Sequence, residues 1–289
     1  MNVALVTYLE QPALADSDEL LVEPLKKQGI TAVAAPWNDT TIDWKQFNLV
    51  ILRSCWEYHR QLDTFLSWIN NLEKNKVKML NSPRIIRWNV NKKYLFDLQK
   101  KGVNIIPSVL VEKENISKLN SLIPIEWSSL IIKPTVGASG FEIMKIERSE
   151  LQNSLSRIES QISQNEFIVQ PLIKEISSGE YSFIYIKDIL GHVMLKTPAI
   201  GDFRTNYKFG GHDRVVYPKP VICRQVEDII KKIDLPFLYA RIDGIVVGGQ
   251  FLLIELELIE PYLFMCEYPP TAKLFAQEIS ATLHRMAQV

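Results

Sequence analysis

The stretch Ile131-Ile132-Lys133-Pro134-Thr135-Val136-Gly137-Ala138-Ser139-Gly140 is an apolar strand that delivers one lysine and then opens into a short loop. A lysine set among apolar residues is costly unless an anion meets it. Gly137 and Gly140 let backbone N–H groups come close to a phosphate, with Ser139 between them. The loop is neither GxxxxGK nor GxGxxG, so a surface strand ending in a turn is the competing reading. Asn91-Lys92 opens a helix upstream. Two lysines from separate elements, Lys92 and Lys133, can bracket a polyphosphate, although a single lysine in a first helical turn is usually just solvated.

Downstream, Phe167-Ile168-Val169-Gln170-Pro171-Leu172-Ile173 is a strand running into a linker. It reads as a plain connection or as an adenine-binding hinge across Gln170, Pro171, Leu172 and Ile173. In the second reading the Pro171 carbonyl and the Ile173 N–H meet the base edge, and proline's missing N–H does no harm. Glu180 then sits where a carboxylate can accept ribose hydroxyls.

The acidic cluster is Asp243, Glu255 and Glu257. Period-two alternation in Ile254-Glu255-Leu256-Glu257 predicts both glutamates on one strand face, with Ile254 and Leu256 opposite. Gly248-Gly249-Gln250 predicts a hairpin that folds Asp243 back toward them. Three converging carboxylates repel unless a metal cation or a lysine partners them, and hard oxygens suit Mg²⁺, with Mn²⁺ as its substitute. A solvated acidic strand face is the alternative. Arg204 and Gly210-Gly211-His212 lie in the weakly periodic segment Pro198–Pro220, and long irregular segments are often functional. Lys196 and Arg241 add positive charge near Asp243.

The first 88 residues alternate strand and helix: strands at Val3–Thr7, Ile30–Ala35 and Leu49–Arg53, and helices at Asp18–Gln28, capped by Ser17 or Asp16, and Asp63–Lys74. This order implies a parallel, doubly wound sheet. Arg53-Ser54-Cys55-Trp56-Glu57-Tyr58-His59-Arg60 follows a strand end that should face the crevice of that sheet. Arg53, Glu57 and His59 are therefore substrate candidates, as is Gly211 in the later loop, with a surface helix start as the other reading. From Trp88 on, the order is helix Lys92–Lys101, strands Val109–Val111, Leu130–Lys133 and Glu142–Ile146, helix Leu151–Ser163 and strand Phe167–Gln170. Strands Tyr181–Ile186, Val193–Thr197, Ile242–Val247 and Phe251–Leu256 and helix Pro270–Ala287 complete the chain.

Composition narrows the function. The 33 basic and 33 acidic residues cancel, which argues against a protein that lives on nucleic acid. No apolar run approaches ~20 residues, so no membrane partner is expected. Three scattered cysteines, Cys55, Cys223 and Cys266, suggest a reducing, cytoplasmic setting. The start, Met1–Thr7, reads as a first strand and not as a leader. A catalytic nucleophile or zinc motif is not visible, and His59, His192 and His284 lack partners at ligand spacing.

The order Asn91-Lys92, Lys133 with its loop, Gln170–Ile173, Gly179-Glu180, Arg204, Gly210-Gly211, Asp243, Glu255-x-Glu257 and Glu260-Pro261 resembles the ATP-grasp superfamily, from about Trp88 to the end. Within it, the chain is similar to bacterial glutathione synthetases. Its Arg53–His59 run resembles the small group that includes the cyclo-ligase of cycloserine biosynthesis. The resemblance implies an α/β and α+β fold, with a Rossmann-like substrate domain at 1–88, a lid subdomain at 89–170 and a metal-binding catalytic subdomain at 171–289. It implies an ATP- and Mg²⁺-dependent ligase that joins a carboxylate to an amine, or cyclises one substrate, through an acyl phosphate. Lys92, Lys133, Ser139, Gly140, Gln170–Ile173 and Glu180 would hold ATP. Asp243, Glu255 and Glu257 would hold metal. Lys133, Arg204 and Arg241 would act on the transferring group. Amino-acid-like substrates are expected, and a homodimer is compatible with the chain. A small-molecule kinase or an inactive nucleotide-binding module is the alternative. Glu257 stands where glutathione synthetases usually have asparagine, and the first 88 residues depart from theirs, so glutathione synthesis itself is not expected.

Overall fold

The computed structural model describes residues 1–138, 140–162, 166–205 and 210–287. The N-terminal unit runs β1 (Asn2–Thr7), α1 (Asp16–Glu19), α2 (Val22–Lys26), β2 (Thr31–Pro36), β3 (Leu49–Leu52) and α3 (Leu62–Lys74). Its strands form a parallel sheet in the order β2-β1-β3. The single helix expected over Asp18–Gln28 is two short ones, and its N-cap is Ala15 rather than Asp16 or Ser17. Long-range bonds take the would-be capping groups. The Ser17 hydroxyl accepts the Met265 N–H, and the Asp18 carboxylate accepts from Arg53 and Ser54.

Two helices follow, α4 (Pro83–Asn89) and α5 (Tyr94–Lys100). The first was not expected, although Ser82-Pro83 carries its start signal: the Ser82 hydroxyl caps the Ile85 N–H, and proline occupies the first turn. Two buried amides, Asn81 just before α4 and Asn89 at its last residue, fasten the helix to the last unit. Asn81 donates to the Tyr239 and Leu258 carbonyls, at 2.9 and 2.7 Å. Asn89 donates to the Leu256 carbonyl at 2.8 Å and accepts the Leu258 N–H at 2.9 Å.

The middle unit runs β4 (Val109–Glu112), α6 (Leu119–Leu122), β5 (Ser129–Pro134), β6 (Met144–Glu147), α7 (Leu151–Gln161) and β7 (Glu166–Pro171). It is an antiparallel sheet in the order β4-β7-β5-β6. The last unit runs β8 (Glu180–Ile186), β9 (Ile189–Thr197), β10 (His212–Val215), α8 (Pro220–Ile230), β11 (Tyr239–Val247), β12 (Gln250–Glu257) and α9 (Pro270–Ala287). Its sheet order is β10-β9-β8-β11-β12, all antiparallel. β10 lies inside the segment expected to be irregular and pairs with β9 from His212 to Val215. The α8 helix is a further addition, with Pro220 in its first turn.

Burial explains how the units hold together. Phe275 and Ile279 of α9 pack between Val3, Leu5 and Ile51 of the N-terminal sheet and Ile184, Ile186 and Tyr239 of the five-stranded sheet. Each such side chain contributes roughly 1.5–3 kcal/mol on full burial. The other face of the five-stranded sheet buries Phe183, Ile242, Phe251 and Leu253 under α5 and α8. The four-stranded sheet covers one face with α7 through Leu130, Ile132, Leu151 and Ile158, and turns its opposite face toward the last unit.

Candidate active site

Alternation along β5 decides where Lys133 goes. Leu130 and Ile132 enter the core beneath α7, so Ile131 and Lys133 point the other way and line a cavity of about 670 Å³. That cavity also takes residues from the five-stranded sheet and, at one end, Trp56 and Tyr58 from the N-terminal unit. Lys133 is 4% exposed. Burial lowers its pKa to about 8, Lys92 adds to the effect, and Glu255 opposes it.

Lys92 is clasped to the loop after β5. Its backbone N–H donates to the Thr135 carbonyl at 2.8 Å, and its ammonium donates to the Gly137 carbonyl at 2.7 Å and meets Glu255 at 3.1 Å. Gly140 adopts a φ of +74°, which favours glycine, and lines the cavity with Gly137 and Ala138. Ser139 lies outside the described residues. Gln170, Pro171, Leu172 and Ile173 all line the cavity. The Gln170 amide donates to the Ser108 hydroxyl at 2.8 Å, and the Leu172 N–H bonds Ser129, which fixes the course of this segment.

The acidic strand differs from strict alternation. Phe251, Leu253 and Leu256 share one core, a spacing that period two forbids. The pairing of β11 with β12 slips between Asp243 and Gly244: Gly244 pairs with Leu253, and Asp243 pairs with Glu255. The extra residue, Ile254, is a β-bulge, which reverses the facing of everything beyond it. Ile254 therefore lines the cavity beside Glu255 and Glu257 instead of lying opposite them. Gly244 leaves room for this slip, because a Cβ there would sit 2.3 Å from the Phe251 ring and 2.5 Å from the Leu252 carbonyl.

Basic side chains already meet the three carboxylates. Asp243 is 2% exposed and takes the Ser182 hydroxyl at 2.6 Å, Arg241 at 3.0 Å and Lys196 at 3.2 Å. Burial acts to raise its pKa, but Arg241 and Lys196 outweigh that and hold it at about 2. Lys92 and Lys133 likewise overcome burial to lower Glu255. Glu257 bonds Arg241 yet is raised to about 7, by burial first, with Glu255 and Asp243 adding repulsion. Among the described residues, no group of three acidic, histidine or cysteine side chains stands in metal-holding geometry. The donor set still fits Mg²⁺, a hard cation that takes one or two carboxylates and completes its shell with phosphate oxygens and water. The cavity wall carries seven acidic and five basic side chains, so an anionic nucleotide needs accompanying cations there.

Glu180 accepts from Lys196 at 3.0 Å and from the Thr205 hydroxyl at 2.7 Å. Arg204 lines the cavity and makes a bidentate pair with Asp202, with its Nη2 atom 2.8 Å from the carboxylate. The other substrate candidates fall elsewhere. Arg53 is 1% exposed and does not line the cavity. Its guanidinium bonds Asp18 at 2.9 Å and the Pro261 carbonyl at 2.8 Å, and lies over the Tyr239 ring. The crevice at the end of β3 is filled by the last unit, so this arginine ties units together. Glu57 accepts the Trp37 indole N–H at 2.6 Å, the His59 ring bonds the Trp56 carbonyl, and Gly211 sits against the Thr205 and Thr197 backbones. None of these three lines the cavity.

Of the Arg53–Arg60 run read as a possible substrate pocket, Trp56 and Tyr58 line the cavity; sequence reasoning missed Tyr94, Tyr262 and Phe264 and gave Glu260 no role, though all four line it as well. Glu260-Pro261 was visible as a motif, but nothing local showed that Glu260 is buried. Burial pushes its pKa well up, and the Glu257 charge adds to the rise.

Residues 95–262 match the prokaryotic glutathione synthetase ATP-grasp domain, and residues 3–81 match the D-cycloserine synthetase DcsG N-terminal domain. The chain belongs to the ATP-grasp ligases of the prokaryotic glutathione synthetase type, ATP-dependent enzymes of carboxylate–amine ligation. It is 26% identical to the cycloserine biosynthesis protein DcsG of Streptomyces lavendulae, over 91% of this chain and 92% of that one. The crystal structure of D-cycloserine synthetase DcsG superposes with a TM-score of 0.84 at 22% identity, covering 98% of this chain and 100% of that one. D-alanine–D-alanine ligase from Bacillus anthracis shares the fold, with a TM-score of 0.68 at 13% identity and coverage of 100% and 99%. The fold is thus ATP-grasp, as the residue order implied.

Proposed function

We propose that the cavity binds ATP with Mg²⁺ and activates a substrate carboxylate as an acyl phosphate, which an amine then opens with release of ADP and phosphate. The observation that carries this reading is that Lys92, Lys133, Arg204, Asp243 and Glu255 line one cavity with the Gln170–Ile173 segment. The base would lie along that segment, against Ile131, Ile143, Ile245 and Ile254, and Glu180 would receive the ribose. Lys92, Lys133 and the Gly137–Gly140 loop would hold the phosphates, a role in which Ser139 is also proposed.

Asp243 and Glu255 would hold the metal, with Glu257 as a third donor. When bound, Mg²⁺ supplies charge neutralisation on the phosphate oxygens. Nucleotide phosphates would draw Lys92 from Glu255, which frees a carboxylate for the ion. Arg241 bonds both Asp243 and Glu257, so it would offset the charge that glutamate adds at 257. Arg204 would swing from Asp202 to the transferring phosphoryl group and the substrate carboxylate, since its planar fork suits both. Positioning and charge neutralisation would supply most of the rate, and the scheme asks for no side-chain nucleophile.

The reading takes residues 1–88 as the substrate domain, 89–170 as the lid and 171–289 as the catalytic subdomain. The match of residues 3–81 to an N-terminal domain of D-cycloserine synthetase supports a small amino-acid-like substrate, and cyclisation of a single substrate is the alternative to joining two. The test uses a carboxylate labelled with ¹⁸O, chosen by screening amino-acid-like acids for ADP release. One label should pass to inorganic phosphate. A stable phosphate ester with no labelled phosphate would mean a kinase, and AMP with pyrophosphate would mean adenylation.

A further inference from the structure

Glu260 is 9% exposed, yet its carboxylate makes no hydrogen bond or ion pair among the described residues. The neighbouring acids differ: Asp243, Glu255 and Glu257 are each met by a lysine or arginine. A buried carboxylate without a partner is costly and persists where something else supplies the partner. Glu260 lines the cavity together with Trp56, Tyr58, Tyr262 and Phe264. The Trp56 indole N–H donates to the Glu260 carbonyl at 3.0 Å, which fixes the wall around the carboxylate. Aromatic side chains and a carboxylate lining one cavity suit an organic cation, because ring quadrupoles and the carboxylate both attract it, and such a cation restores the charged form of Glu260 that burial disfavours.

We propose that Glu260 is the binding point for a substrate ammonium group, so that the end of the cavity near Trp56 and Tyr58 selects a small molecule carrying a primary amine in its protonated form. The proposal rests on the ligase reading for the placing of ATP in the remainder of the cavity, and it adds the chemical feature by which the other substrate is chosen. Glu260 is a specificity residue in this scheme and takes no part in holding the metal.

Calorimetric titration with Mg²⁺ and a non-hydrolysable ATP analogue present tests it. The probes are D- and L-serine and D- and L-alanine, each against its 2-hydroxy counterpart, glyceric or lactic acid. At least one amino acid should bind the native protein about tenfold more tightly than its hydroxy counterpart, the smaller effect expected of a charge-assisted contact. Glu260→Gln should erase that preference while keeping nucleotide affinity and its Mg²⁺ dependence. Glu260→Met serves if the amide variant fails to fold. Equal binding of the paired probes, no binding of any, or a preference that survives substitution would overturn the site. A changed Mg²⁺ dependence with the preference intact would also overturn it and make Glu260 a metal ligand. Phosphate release from ATP in the same mixtures is read separately. Selective binding without turnover would remove the ligase reading and leave the ammonium site standing.

Discussion

Asp243 and Glu255 are paired opposite each other on β11 and β12, immediately beside the bulge at Ile254. Without that extra residue, Glu255 and Glu257 would continue the phase of Phe251 and Leu253 and enter the core beneath α5 and α8. The bulge turns them into the cavity, and lysines and arginines from four other places in the chain then gather on them.

Lys133→Met should weaken binding of a non-hydrolysable ATP analogue by at least ~1.5 kcal/mol, the lower range for a charge-assisted contact. Calorimetry reads it. Unchanged affinity would leave Lys133 outside the nucleotide site.

Nucleotide binding should take up a proton above pH 8. Burial holds the free Lys133 at about 8 against the ordinary lysine value of 10.5, and phosphate favours the ammonium form. Affinity therefore falls as pH rises through this window. Folding stability moves the other way at this group. Between those two values the unfolded chain binds more protons, so this contribution to stability rises with pH. Calorimetry in two buffers of different ionisation enthalpy, at about pH 9, measures the uptake. Lys133→Arg should abolish it, because guanidinium stays charged.

Glu255→Gln and Asp243→Asn should each lower turnover by ~100-fold or more while the fold persists, the scale of losing one preorganised electrostatic element. Steady-state phosphate release and circular dichroism give the two readouts. Near-normal Mg²⁺-dependent activity in either variant would remove that residue from the metal set.

Arg204→Ala should lose turnover with little change in nucleotide Kd. Its present partner is Asp202, so its bond to the transferring group would form mainly in the transition state. A large loss of ATP binding with normal kcat would reverse the assignment.

Asp18→Asn should cost ~3–5 kcal/mol of stability, because it strips the partner from a guanidinium that is itself buried. Asp18 and Arg53 are 3% and 1% exposed. Chemical denaturation measures the loss. A small effect, together with impaired substrate binding, would return Arg53 to the substrate site.

The glutamates, the lysine strand and the glycine turn were legible in the chain because each depends on local rules. Period two placed Glu255 and Glu257 on one face, Gly248-Gly249 forced a tight hairpin, and motif order pointed to ATP-grasp. What lay in no local pattern was decided by packing. The register slip at Gly244 exists because the Phe251 ring and the Leu252 carbonyl occupy the space of a Cβ. Arg53 looked like a crevice residue by its strand position, yet Asp18, the Pro261 carbonyl and the Tyr239 ring, far apart in sequence, close around it. Glu260 became a buried carboxylate only in the folded cavity, where the Trp56 indole bonds its carbonyl. By itself the sequence determined the family, the fold class and most of the strands, since backbone periodicity and turn stereochemistry act over a few residues, whereas α4, β10 and α8 were not read from it. The tertiary structure alone decided which charges are paired and which are left for a ligand, because ion pairing and desolvation depend on neighbours that chain order does not name.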